Sequence, residues 1–318
     1  MDVLSKEVIF VGGKGGVGKS TSAAAIALRS AADGHRTLLV STDPAHNTGD
    51  IFGRELDGEV TEVAERLSAL EIDPDRETEA YIGTVKDNLK GVVHSAMADE
   101  VSRQLDTAKA SPGADEAALF DRLVTILLEE RDRFDRIIFD TAPTGHTIRL
   151  LTLPELMGVW IRGLLDRRRK TNENYSALLN DGDPVEDPIY DVLRERQDRF
   201  TRVREILLDP DKTGFIFVLN PERLPILETE KAVALLGRHH LHVRTLIVNK
   251  VLPEEADGEF LRERRLHERG YLELINKTFK EQELISVPLF PRDIASMEDL
   301  EAFSQHFKAG GQIEGIRL

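Results

Sequence analysis

The sequence predicts an α/β protein, a mostly parallel sheet sandwiched by helices, with a helical subdomain inserted into it. Three observations carry that expectation. Short apolar runs alternate with longer patterns of helical period, as βαβ units require. The first of those runs passes straight into a glycine-rich loop. Each conspicuous polar motif follows the end of an apolar run, where an open sheet of this class builds its site. At 318 residues the chain is long enough for one such domain, 1–318, plus an insertion, and no repeat at domain scale divides it.

Taken in order, strands are expected at 7–12, 37–41, 136–140, 214–219, 243–249 and 284–289, each a short, nearly continuous apolar run of the kind a strand buried on both faces shows. Two stretches read as helices outside this pattern. Within 78–98 the residues Tyr81, Ile82, Val85, Leu89, Val92, Val93, Ala96 and Met97 share one helical face. Within 153–170 the face is Leu153, Leu156, Met157, Trp160, Ile161, Leu164 and Leu165, followed by Arg167-Arg168-Arg169-Lys170, cations that complement a helix C-terminus. Together they define a subdomain over about 78–112 and 153–205. Packing on the protein's own core is the plainer account of both stripes, and a surface for an apolar partner is the other. Residues 171–188, polar with Asn, Asp, Gly and Pro, read as a connection.

Composition narrows the classes of function. The net charge is -15 with 31% charged residues, so the surface repels nucleic acid at long range. Zero cysteines exclude disulfides, thiolate zinc sites and thiol catalysis. No apolar run reaches transmembrane length and the first residues are not a signal peptide, so a cytoplasmic protein without an integral membrane segment is expected.

The chemistry starts at residues 8–21. Gly13, Gly18, Lys19 and Ser20 satisfy the Gly-x-x-x-x-Gly-Lys-Ser/Thr spacing, so the segment Gly13-Lys14-Gly15-Gly16-Val17-Gly18-Lys19-Ser20-Thr21 is expected to bind a nucleoside triphosphate. Backbone N–H groups wrap the phosphates, Lys19 neutralises terminal charge, and the Ser20 hydroxyl ligates Mg²⁺. Asp140, at the end of an apolar run, is the natural second Mg²⁺ residue, acting through water. Asp43, after the run 37–41, is then free to orient or deprotonate the attacking water. His46 and His146 fall in loops that would respond to the γ-phosphate and are not read as a metal pair. Lys14 stands inside the loop, where an ordinary phosphate loop needs no charge.

The string Lys14-Gly15-Gly16-Val17-Gly18-Lys19-Ser20 resembles the deviant Walker A of a family of dimeric ATPases, in which the extra lysine reaches the phosphates of the partner's nucleotide. Three further segments, Ser41–Asn47, Ser111–Ala117 and Phe139–Leu151, resemble the arsenite-pump and tail-anchored-protein-targeting ATPases, with 41–52 as switch I and 140–151 as switch II. The resemblance extends to Val218–Glu222 with Glu228-Thr229-Glu230, where the family places a glutamate on the nucleotide, expected here as Glu222. It also covers Ile247–Leu252, whose Asn249 would read adenine, and Val287–Arg292, whose Pro291 and Arg292 would flank the base. An asparagine amide suits adenine because it offers both a donor and an acceptor.

The resemblance therefore implies an ATP-hydrolysing homodimer that shields hydrophobic client helices and meets a membrane receptor. Its alternative is a regulatory or energising ATPase docking on a transporter or another protein. The chain departs from both in two ways. Without cysteine it cannot hold arsenite through thiols, and Gly258 and Leu261 stand where the targeting factors place a zinc-binding Cys pair, so no zinc is expected.

Overall fold

The computed structural model describes residues 3–43, 47–89, 102–103, 106–107, 113–142, 144–179 and 187–307. Eight strands form one sheet: β1 (Val8–Gly13), β2 (Thr37–Ser41), β3 (Thr61–Ala64), β4 (Leu67–Glu71), β5 (Arg136–Asp140), β6 (Thr213–Leu219), β7 (Val243–Val251) and β8 (Glu283–Pro288). Their order is β3-β4-β2-β5-β1-β6-β7-β8, and every pair is parallel except β3 with β4. The helices are α1 (Lys19–Ala32), α2 (Asn47–Phe52), α3 (Pro74–Leu89), α4 (Ala114–Thr125), α5 (Thr144–Leu179), α6 (Pro188–Leu208), α7 (Arg223–Arg238), α8 (Glu259–Thr278) and α9 (Met297–Ser304).

The central strands are apolar throughout because both their faces are covered: every residue of β1, β2 and β6 is buried. Register locks the middle of the sheet through an aromatic row. Phe10 stands opposite Phe139 on one side and Phe215 on the other, and their rings stack with centroids 4.7 and 5.5 Å apart. On the other face Ile9, Val11, Ile138 and Ile216 pack with the small residues Ala23, Ala24 and Ala27 of α1. Alanines let that helix lie close to the sheet, which brings its first turn to the loop leaving β1.

The chain divides into two compact units. One, holding the whole sheet, gathers Met1–Ile72, Arg131–Arg149 and Leu207–Leu318; the other, Asp73–Glu130 and Leu150–Ile206, is helical where described. Within the second unit Phe120 packs against Phe200, and the Arg196 guanidinium lies over the Tyr81 ring, 5.2 Å from its centroid. Ile82, Ile161 and Leu165 from the two stripes are buried, whereas Val159 is exposed. The stripe residues Val92, Val93, Ala96 and Met97 lie outside the described residues. Among the described residues no helix is long and apolar enough to cross a membrane.

Two expectations change. The stretch 171–188 is not a simple connection, since α5 continues to Leu179. Between Thr171 and Leu179 there is neither Pro nor Gly, and Asn, Ser and Thr each cost only about 0.5 kcal/mol against Ala, too little to stop a helix already nucleated. In addition β3 and β4 form a hairpin at the sheet edge that the apolar-run reading leaves out. Its turn contains Arg66 at φ 58 in place of the glycine or asparagine that ordinarily announces one.

Candidate active site

The register of three adjacent strands assembles the site. Asp140, the last residue of β5, is paired with Val11 of β1 on one side and Ser41 of β2 on the other. The glycine loop leaving β1, the segment leaving β2 and the carboxylate ending β5 therefore converge at one point, the crevice outside the carboxyl ends of the strands. Two threonines stitch the three ends together. The Thr141 hydroxyl donates to the Val11 carbonyl at 2.8 Å, and the Thr42 N–H donates to the Asp140 carbonyl at 2.9 Å.

Two glycines of the loop are sterically obligatory. A Cβ on Gly13, at φ 148, would stand 2.3 Å from the Val218 carbonyl oxygen, and one on Gly18, at φ 94, 2.4 Å from Asn249 Nδ2. Gly18 also precedes α1 without a side-chain cap, so the first N–H groups of that helix remain for an anion. Two neighbouring carbonyls are turned the other way: Asn249 Nδ2 donates to the Val17 carbonyl at 2.8 Å and Lys250 Nζ to the Gly16 carbonyl at 3.2 Å. A trans peptide points its N–H opposite to its C=O, so these two bonds help aim the loop's N–H groups into the concave side.

Lys19 is 5% exposed; its ammonium donates to the Lys14 carbonyl at 3.4 Å and lies 3.8 Å from Asp43 Oδ2. Asp140 is 1% exposed, and both its carboxylate oxygens lack a hydrogen-bond partner among the described residues. Burial pushes its carboxyl up to about 6; Asp43 and Glu71 add to that by repulsion, while Lys19 and the Ser20 hydroxyl, close by but short of bonding geometry, oppose it. Two unsatisfied buried carboxylate oxygens beside a hydroxyl make a hard-oxygen donor set that fits a divalent cation such as Mg²⁺.

The carboxyl of Asp140 is easier to protonate in the folded chain than in the unfolded one, so stability falls as pH rises through the window from 3.8 to about 6. Above that window the buried charge costs about 3 kcal/mol. Asp140→Asn is therefore expected to raise the melting temperature of metal-free, nucleotide-free protein at pH 7.5, with the gain vanishing near pH 4. Paired thermal melts in chelator at the two pH values measure it, and a gain independent of pH would contradict it.

A cavity of about 710 Å³ opens over the loop. Its polar wall holds Gly15, Gly16, Gly18, Lys19, Ser20, Thr21 and Asp43; its apolar wall holds Ile51, Leu289, Phe290, Ile294 and Phe303; and Asn249, Lys250 and Arg292 also line it. One end suits phosphates and the other a flat base. Asn249, 4% exposed, also accepts the Lys250 N–H on Oδ1, which leaves one amide N–H and one lone pair for a base edge.

Other expected site residues stand apart from that cavity. Gly13 and Val17 shape the loop from beneath, and Val17 is buried. Lys14 turns to Glu228 of α7, with Nζ 2.8 Å from Oε1. Glu222 precedes α7, exposed, 3.8 Å from Arg264, and Pro291 is exposed. His46 and the side chain of His146 lie outside the described residues. Two residues that line or support the site escape the motif reading. Lys250 carries no signal beyond following Asn249. Glu71 carries a weak one, since it follows Leu67-Ser68-Ala69-Leu70, a short run that Ser68 interrupts.

A Walker-type glycine loop between a buried strand and a helix, with a carboxylate ending the adjacent strand and a second lysine within the loop, defines a P-loop nucleoside triphosphatase of the deviant Walker A class. Among these the chain belongs to the anion-transporting ATPase family, which it matches over residues 6–309. It is 35% identical over 303 residues to a protein provisionally named arsenical pump-driving ATPase 2 of Aquifex aeolicus, covering 95% of this chain and 99% of that one. It is 33% identical to ATPase GET3A of Arabidopsis thaliana, covering 96% and 85% of the two chains, and 33% identical to ATPase GET3 of Candida glabrata, covering 93% and 88%. The protein is an ATPase, and ATP is its nucleotide.

Proposed function

We propose that this ATPase is a cytoplasmic, homodimeric targeting factor that shields the transmembrane segment of tail-anchored membrane proteins and releases it at a membrane receptor on nucleotide turnover. The observation that carries the reading is Lys14. Its ammonium pairs with Glu228 and does not line the cavity of its own chain, which supports a role on a partner's nucleotide. Whole-length similarity to ATPases named GET3 supports the targeting role. Large apolar side chains exposed on α7 and α8, Leu224, Phe260 and Leu266, offer a second copy the surface that a zinc clamp would otherwise staple.

In this mechanism the N–H groups of the loop and of α1 bind the β- and γ-phosphates and Lys19 neutralises their charge. Ser20 and Asp140 would hold Mg²⁺, Asp140 through water, and the ion would compensate charge on the phosphates when bound. Asp43 orients the attacking water or takes its proton. Lys14 leaves Glu228 for the partner's phosphates as two subunits close on ATP. Mixing Lys14→Ala with Asp43→Asn subunits is therefore expected to restore part of the activity, since each mixed dimer has one composite site with both groups intact. No recovery where heterodimers demonstrably form would place Lys14 in its own subunit's chemistry.

The client role is tested by co-expressing the protein with a tail-anchored substrate whose terminal segment has about 20 apolar residues. A soluble complex that hands the substrate to membranes on ATP addition is expected; a substrate that aggregates as it does alone would overturn the role. One similarity favours a second reading, an energising ATPase docked on a membrane transporter, because a relative carries the arsenical pump-driving name. Hydrolysis stimulated by the transporter and indifferent to the apolar substrate would select it. Thiol-held arsenite plays no part in it, since the chain has no cysteine.

A further inference from the structure

We infer that Glu71 is a positioning residue for hydrolysis, its carboxylate holding in place the segment that carries Asp43. This rests on the reading of Asp43 as the residue that orients the attacking water. Glu71 ends β4, where register sets it beside Ser41, the last residue of β2 and two residues before Asp43. Only 6% of it is exposed. Its Oε1 accepts the N–H of Thr48 at 2.7 Å and of Gly49 at 2.9 Å, the first turn of α2. The next residue in the chain, Ile72, donates its N–H to the Ser41 carbonyl at 3.0 Å. Two consecutive residues thus grip both ends of the stretch from Ser41 to Thr48, and Asp43 lies between the grips.

Local physics says why such a grip is needed. A helix of six residues does not recover its nucleation cost alone, so α2 requires an anchor. Burial of Thr48 and Phe52 supplies part of it, and the Glu71 carboxylate supplies the part that sets where α2 begins, with two charge-assisted bonds on one oxygen. A buried acid here is also costly, because its charge adds to the repulsion at Asp140. If Glu71 served only to fill space, an apolar side chain would fill it without that cost. What an apolar residue cannot do is accept the two N–H groups that open α2, the helix that follows the segment carrying Asp43. Misplacing a catalytic group by about 1 Å costs about 100-fold in rate.

The test compares Glu71→Gln, Glu71→Asp and Glu71→Ala with wild type and with Asp43→Asn, measuring steady-state MgATP hydrolysis, MgADP affinity by calorimetry and cooperative melting. Glu71→Ala is expected to lower kcat about 10- to 100-fold while MgADP affinity stays within about threefold. Glu71→Gln, which keeps the acceptor at full reach, recovers most of the rate; Glu71→Asp, one methylene short, behaves like Glu71→Ala. The double variant Glu71→Ala/Asp43→Asn should be no slower than Asp43→Asn alone, because the two act through one group. Multiplying losses, or wild-type kcat in a folded Glu71→Ala, would overturn the inference. Should Glu71→Ala not fold, wild-type kcat in Glu71→Asp overturns it equally. Wild-type hydrolysis by Asp43→Asn removes the reading of Asp43 and this inference together, whereas a slow Asp43→Asn beside fast Glu71 variants removes the inference alone.

Discussion

Lys19→Ala is expected to abolish MgATP binding and hydrolysis together. The Lys19 ammonium is almost fully buried and lies 3.8 Å from Asp43, in a crevice that also holds the carboxylate of Asp140, without a hydrogen-bond partner among the described residues, and that Glu71 makes more negative. Without Lys19 a polyphosphate would meet the acids Asp43 and Asp140, and among the described residues of the cavity wall only the cations Lys250 and Arg292 would remain to offset them. Removing one partner of a buried charge pair costs about 3–5 kcal/mol, roughly two to three and a half orders of magnitude in affinity. Calorimetry with MgADP reads this without hydrolysis, and melting of the free protein separates it from misfolding. Unchanged affinity would show that loop N–H groups alone hold the phosphates.

Asp43→Asn is expected to behave differently, binding nucleotide with near-normal affinity and hydrolysing it about 10²–10⁴-fold more slowly. The asparagine keeps the shape and one acceptor oxygen of the aspartate, so the cavity wall persists. It loses the basicity to take or polarise a proton, and it loses the charge that faces Lys19. Wild-type turnover by this variant would remove Asp43 from the chemistry. Equal loss of affinity and rate would instead make it a binding residue.

Six of the eight strands are legible in the sequence as short apolar runs: β1, β2 and β6 because every residue of theirs is buried, and β8, a partly exposed edge strand broken by Ser286, through Leu284, Ile285 and Val287. The hairpin of β3 and β4 is not, for a physical reason: β3 is an edge strand, partly exposed, its run broken by Glu62, and its turn rests on Arg66 at positive φ. In the site, the loop and Asp140 announce themselves by spacing and by position after a strand. Lys250 and Glu71 act through neighbours that only the fold supplies, one through the Gly16 carbonyl and the other through the start of α2. Lys14 is legible as an anomaly of charge, but Glu228, its partner 214 residues away, becomes visible only with the packing of α7.

The central place of β1 has a consequence for how the chain comes into being. Its first residue pairs with Ile137 on one side and Thr213 on the other, strands that leave the ribosome about 130 and 205 residues after it. At about 5–20 residues per second, this fully buried strand waits roughly 10–40 s with an open edge before its second neighbour exists. Local helices form long before then, but the strand that leads into the phosphate loop lacks its second neighbour until that point, and the asparagine that braces the loop, Asn249, is made later still. ATP therefore cannot ligate, and so cannot rescue, any early intermediate; it stabilises only a chain whose sheet is already nearly closed. The stabilisation that nucleotide gives the new chain is thus confined to the last stretch of synthesis, after Asn249 has been made.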